Sequence, residues 1–203
     1  QHLMTVEYKP YPASFYHMDK LKSLTRFRDS LVRQRSRQLV DLTNVLDKVF
    51  PEFKPFFKGK FSVTALYILA NYPTPEKIAN MNARSYEVLR KRSSGKFTMI
   101  QFAQLKTLAK NTVGFSDDYL LQQMEVLLDI YTQLDAKIEE VEAEIIECII
   151  GIDPPILSIP GIGAMSAAVI LSEFGDFAKY ANPSKMLSFA GLEPGYFQSG
   201  QSE

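Results

Sequence analysis

Residues 158–177, SIPGIGAMSAAVILSEFGDF, hold the spacing in this chain that most suggests chemistry. Gly161 and Gly163 stand two apart around Ile162, and Ala164 opens an alanine-rich apolar run. Glycines tolerate positive φ, so they let backbone N–H groups gather at the start of a helix. Such a cluster, reinforced by the helix dipole, accepts a phosphate oxygen without reading base sequence. The same residues would equally serve as a tight joint between two helices, because Ala164, Ala167 and Ala168 permit close approach. The order hydrophobic-x-Gly-hydrophobic-Gly before an alanine-rich helix is the helix-hairpin-helix pattern. It makes Gly161, Ile162, Gly163 and Ala164 candidates for a backbone contact to nucleic acid. No Lys or Arg lies between Gly151 and Asp176, so any cation at such a site must come from elsewhere in the chain.

Two basic sets could supply it. Arg26, Arg28, Arg33, Arg35 and Arg37 fall on one helical stretch, and Arg90, Lys91, Arg92 and Lys96 on another. Of these, Arg26, Arg33, Arg37, Arg90, Lys91 and Arg92 are the candidate phosphate contacts. The solvated flank of a core helix would explain the first set equally well. Other chemistries are poorly supplied. His2 and His17 are the only histidines and Cys148 the only cysteine, which argues against a His/Cys-rich metal site, and both histidines sit at the far N-terminus, which argues against a Ser-His-Asp triad. A single cysteine excludes a disulfide framework and fits a reducing cytoplasm, the location expected for this chain.

The 203 residues suit one large or two small domains, and a hydrophobic content of 46% can build a core. Formal net charge is zero, but the distribution is uneven. Residues 1–60 hold 12 Lys/Arg against 6 Asp/Glu, residues 84–110 hold 7 against one, and residues 116–150 hold 10 Asp/Glu against one Lys. A zero sum therefore conceals basic surfaces. No apolar run approaches the roughly 20 residues of a membrane span, and no secretory signal is evident.

The elements that must position these residues read as helices throughout. Residues 1–18 contain Pro10, Pro12 and several aromatics, and read as an extended segment. From Asp19, a candidate cap, to Phe50 the residues Leu21, Leu24, Leu31, Leu39, Leu42, Leu46 and Val49 form an apolar stripe that Pro51 ends. Residues 51–59 read as an aromatic loop. Short helices follow at 62–71, 75–81, 83–92 and 98–110, making a small helical insertion over 60–111. Ser116 is a candidate cap for a helix reaching Ile150. There Leu120, Leu127, Leu134 and Val141 interleave with Met124, Tyr131, Ile138 and Ile145, an a/d seam of about four heptads. The similar length and opposite charge of helix 19–50 make it the natural antiparallel partner, and the seam could also join two copies as a homodimer. The fold class expected is all-α: a long antiparallel helical hairpin or coiled coil, 19–150, with its insertion, then a helix-hairpin-helix segment in a second domain, 151–203, set off by Gly151 and Pro154-Pro155.

The C-terminal residues extend the pattern. Phe174-Gly175-Asp176-Phe177 leads to Ala190-Gly191-Leu192-Glu193-Pro194 and then to Gln198-Ser199-Gly200. Together with the Pro-Gly-Ile-Gly turn, this order resembles the C-terminal domain of the DEDD-type insertion-sequence transposases, the insertion-sequence-110 family, related to the Piv invertases. The upstream basic helix ending in Phe50-Pro51-Glu52 and the long helix after it loosely resemble that family's linker. The resemblance implies DNA strand exchange at insertion-sequence ends, with Ser199 matching the serine that attacks a DNA phosphate. It also implies a RuvC-like domain whose acids hold Mg2+, and for some members a structured guide RNA. No such acid-bearing segment is visible in these residues, so the chain is expected to be a fragment, inactive alone and holding no cofactor of its own. The alternatives are a non-catalytic helix-hairpin-helix protein that binds nucleic acid and a coiled-coil interaction protein.

Overall fold

The structure, a computed structural model, describes residues 13–175, 177 and 180–192. Among these residues the regular elements are all helical, in line with the all-α expectation. In chain order they are α1 (Ala13–Val49), α2 (Phe53–Phe56), α3 (Val63–Asn71), α4 (Pro75–Ala79), α5 (Ala83–Arg92), α6 (Met99–Lys110), α7 (Asp118–Ile152), a 3-10 turn (Pro155–Ser158), α8 (Ala164–Phe174) and α9 (Pro183–Phe189). They gather into two compact units, Asp29–Glu140 and the described residues up to Arg28 together with those from Val141 on.

Within the unit Asp29–Glu140, α1 and α7 run antiparallel. Near one end the Phe115 N–H donates to the Lys48 carbonyl at 2.9 Å, and further along Arg35 pairs with Asp135. The core draws Leu42, Leu46 and Val49 from α1 and Leu120, Met124 and Leu128 from α7. The insertion closes over them with Ile68, Ile78, Leu89, Phe102 and Leu105. Its helices are punctuated by local chemistry. Ser62 caps α3, Pro75 opens α4, and reciprocal capping boxes start α5 (Asn82, Ser85) and α6 (Thr98, Gln101). The stretch expected as an aromatic loop instead contains α2. It packs there because Phe53 is only 1% exposed and its ring lies 5.7 Å from that of Phe50.

The second unit is smaller. Leu21 of α1, Val141, Ile145 and Ile149 of α7, and Ala167, Ala168 and Leu171 of α8 are buried in it. Arg28 donates to Glu142 at 2.6 Å. The rings of Phe174, Phe177, Tyr180 and Phe189 form a minor cluster, with centroids 5.6–6.1 Å apart.

Three boundaries differ from the sequence reading. Helix α1 begins at Ala13 and runs through Asp19, so residues 13–18 are helical rather than extended. After Pro12 no Pro or Gly interrupts the chain, and a lone Asp does not stop a helix. Helix α7 begins at Asp118, with Asp117 rather than Ser116 at its edge, and continues through Gly151 to Ile152. One Gly costs only about 1 kcal/mol in a helix. The stop is Asp153, at φ 44°, followed by Pro154.

The seam of α7 is taken up within the chain. Leu120, Met124, Ile138, Val141 and Ile145 are buried, and Leu127, Tyr131 and Leu134 half-buried. Much of the seam expected to join two copies is thus covered by the chain itself.

Candidate nucleic-acid interface

The glycine turn is built by its own hydrogen bonds. The Ile162 N–H donates to the Ile159 carbonyl at 3.1 Å, closing four residues with Gly161 third at φ 89°. That position favours glycine on backbone grounds. Gly163 then stands at the N-cap of α8 at φ −81° and ψ 169°, extended backbone that any residue adopts, and it offers no side-chain cap. A Cβ at Gly161 or Gly163 would meet nothing within 4 Å. The two readings of the turn therefore separate. Close packing is carried by Ala167 and Ala168, both fully buried, and the glycines themselves face open space. The first internal bond of α8 runs from the Ala167 N–H to the Gly163 carbonyl at 2.9 Å. The N–H groups of Ala164, Met165 and Ser166 have no acceptor among the described residues, as an uncapped helix start leaves them. The element before the turn is a single 3-10 turn, Pro155–Ser158, rather than an α-helix.

The basic candidates divide by what already engages them. Arg26 lies in the same unit as the glycine turn, but its guanidinium reaches Glu173 at 3.4 Å, at the far end of α8. Nine residues of helix, about 14 Å, separate Glu173 from the first of the open N–H groups, so Arg26 as placed here points away from them. Arg33 pairs with Asp29 on its own helix at 2.6 Å while remaining 81% exposed. Arg90 has a loose contact to Glu87 at 3.7 Å. Arg92 lies over the Tyr67 ring at 4.0 Å, a cation–π contact that holds α5 against α3. Arg37 and Lys91 are exposed and have no ionic partner among the described residues. Arg28 and Arg35, basic by sequence, are tied to Glu142 and Asp135 and act as clamps.

Acidic residues mark a face of the wrong sign for phosphate. Asp118, Glu125 and Asp129 of α7 line a groove of about 520 Å³, with Lys77 among its other lining residues.

Two features carry structural weight that the sequence reading passed over. Gly114 sits where an added Cβ would lie 2.4 Å from the Val49 carbonyl oxygen. The Glu52 carboxylate accepts from the Thr112 hydroxyl at 2.6 Å and the Val113 N–H at 3.2 Å. Partial burial pushes the Glu52 carboxyl up, but these hydrogen bonds outweigh it and hold it below its ordinary value. The only available signal was Gly114 beside a predicted helix start, which cannot reveal a contact 65 residues away in sequence.

Ser199 lies outside the described residues. No group of three or more His, Cys, Asp or Glu among the described residues could hold a metal ion. No helix among them is long and apolar enough to cross a membrane.

Residues 153–203 match the family model described as Transposase IS116/IS110/IS902 family. The matched segment begins just after α7 and contains the glycine turn, α8 and α9. No curated protein and no solved structure matches the chain. The C-terminal stretch is thus transposase-like, and the helical unit Asp29–Glu140 lies outside the match.

Proposed function

We propose that this chain is part of a DNA transposase or site-specific recombinase that holds nucleic acid and exchanges strands at insertion-sequence ends. The observation that carries the proposal is the family match over residues 153–203. The open N–H groups after Gly163 support it, because they can take a phosphate oxygen without base specificity. By itself, the unit Asp29–Glu140 exposes Arg37 and Lys91, together with Arg33 and Arg90 in surface ion pairs, which is charge of the kind that backbone binding uses. Residues 151–203 are the start of the catalytic domain in this reading, 19–150 are its linker, and the protein works in the cytoplasm. DNA is the principal partner, with a structured guide RNA as a second.

Ser199 is the nucleophile of the proposal. Its Oγ forms a bond to a DNA phosphorus while the bond from that phosphorus to a sugar oxygen breaks. The serine proton leaves to a base, and the departing sugar oxygen takes up a proton. In this reading the described residues contribute docking to the step.

Two measurements test the reading. Binding of duplex DNA and of structured RNA by the chain should weaken steeply between about 50 and 200 mM salt. Affinity independent of salt removes the docking surface. In a strand-exchange assay of a recombination-competent form, Ser199→Ala should abolish product while leaving DNA affinity within about twofold, since the hydroxyl acts in the transition state. Normal exchange by that variant would leave a non-catalytic nucleic-acid-binding protein as the better reading.

A further inference from the structure

One short motif occurs twice in the insertion, as Gly59-Lys60-Phe61-Ser62 and as Gly95-Lys96-Phe97-Thr98. The fold builds both copies alike. The Gly59 N–H donates to the Lys54 carbonyl at 2.9 Å and the Gly95 N–H to the Arg90 carbonyl at 2.8 Å, closing the ends of α2 and α5. The Lys60 N–H then donates to the Phe57 carbonyl and the Lys96 N–H to the Ser93 carbonyl, both at 3.1 Å. Each turn carries two successive residues at positive φ, Lys58 (55°) with Gly59 (73°) and Ser94 (51°) with Gly95 (80°). Ser62 goes on to cap α3 and Thr98 to cap α6.

Three of the four repeated residues have a structural task. The glycine takes the left-handed position that ends a helix, the phenylalanine packs on the core, and the hydroxyl residue caps. The lysine side chain has none of these tasks. Lys60 and Lys96 are both exposed, and neither has an ionic partner among the described residues. The two turns also adjoin within the unit Asp29–Glu140, because the Phe57 ring stacks on the Phe97 ring at 6.2 Å. That contact joins two stretches, 53–75 and 88–116, that contain no Asp or Glu. Lys58, Lys60 and Lys96 thus share one acid-free lobe with Lys91 and Arg92, and all five are exposed. The dipole at the end of α5 favours Lys91 and Arg92, but it does not account for the three turn lysines.

Such a lobe fits a polyanion. Unpaired bases would need free aromatic faces to stack on, and the rings here are taken. Phe97 is buried against Phe57, and Arg92 covers Tyr67. Backbone phosphates need only cations and an open approach. A Cβ at Gly59 or Gly95 would meet nothing within 4 Å, so both turns stand open.

We propose that the paired Gly-Lys-Phe turns form a docking surface for the sugar–phosphate backbone of duplex DNA, with Lys58, Lys60 and Lys96 as its contacts. The inference rests on the nucleic-acid reading and gives it a surface outside residues 153–203, independent of the α8 start.

Binding of a duplex DNA of arbitrary sequence, followed by fluorescence anisotropy between about 50 and 200 mM salt, tests it. Lys58→Gln/Lys60→Gln/Lys96→Gln should lower the slope of log affinity against log salt by about 2.7. Affinity near 100 mM salt should fall about tenfold or more. The melting temperature should not change, because the three side chains are exposed. Replacing the same three lysines with Arg should keep both slope and affinity. Lys20→Gln/Lys77→Gln/Lys110→Gln removes equal charge from other exposed lysines and should leave the slope within about 1 of the unmodified chain. Duplex binding indifferent to the first triple variant, or equally reduced by the second, overturns the surface and leaves the transposase reading standing. Loss confined to a single-stranded oligonucleotide or a structured RNA overturns the assignment to duplex DNA. An unmodified chain with no salt-dependent duplex affinity overturns the surface and the docking reading together.

Discussion

At Gly114 the chain has no room for a methyl group, whereas at Gly163 it has ample room. An added Cβ at Gly114 would lie 2.4 Å from the Val49 carbonyl oxygen and 2.9 Å from the Pro51 ring. Gly114→Ala should therefore cost about 1–3 kcal/mol by overpacking against backbone, read as a lower urea midpoint. Gly163→Asp should do the opposite to stability, because Asp is a better N-cap than Gly by a few tenths of a kcal/mol or more. It should nevertheless weaken DNA binding, since its carboxylate would take the N–H groups and repel phosphate. Unchanged DNA affinity in a folded Gly163→Asp chain would detach α8 from the interface. At Glu52 the prediction concerns pH. Its carboxyl is lowered on folding, so its contribution is present above the unfolded pKa of roughly 4.3 and is lost as pH falls through the lower folded value. Glu52→Gln should flatten the acid limb of the stability curve below about pH 5, and an unaltered limb would show that the Thr112 and Val113 bonds do not govern it.

Helices α1 and α7 are held by apolar stripes and located by charge. The stripes alone would tolerate sliding by a turn, because Leu and Ile repeat along both helices. The ion pairs from α1 arginines to α7 acids, Arg28–Glu142 and Arg35–Asp135, oppose it. Arg28 meets Glu142 at 2.6 Å with both side chains about one-third exposed, so the pair is only partly screened. Arg28→Met should cost about 1 kcal/mol, visible in thermal melts. It should leave the salt dependence of nucleic-acid binding unchanged, because that charge is already compensated. The Glu142→Gln/Arg28→Met double variant should lose less than the sum of the single losses, and strict additivity would mean the contact carries no coupling.

For the whole molecule, a formal net charge of zero says little about where charge is available. The arginines that α1 supplies are partly consumed by acids on α7 and α8, and α5 spends Arg92 on Tyr67. What remains is a smaller set than composition suggests. Arg37→Gln and Lys91→Gln should each reduce the slope of log affinity against log salt by about 1, with melting temperatures unchanged because neither makes an ion pair among the described residues. A slope that stays constant in the double variant would move the interface elsewhere.

Much of this architecture is legible in the sequence, because helix formation here is local. The heptads of α7, the apolar stripe of α1 and Pro75 at a helix start all act within a few residues, so spacing reveals them. The start of α1 and the end of α7 were less legible, since a possible cap or a Gly only weakly favours a boundary that Pro and packing decide. Whether the glycine turn is a joint or an open helix start was undecidable from types alone. That depends on what surrounds Gly161 and Gly163, and only the tertiary arrangement leaves the space around them empty. The same holds for the basic residues. Arg28 and Arg37 look alike in sequence, and only the fold sets a carboxylate beside the first and leaves the second exposed and without an ionic partner. Local periodicity thus fixes which segments are helices, whereas the availability of any one charge or N–H group is set by contacts across more than a hundred residues, which no local pattern encodes.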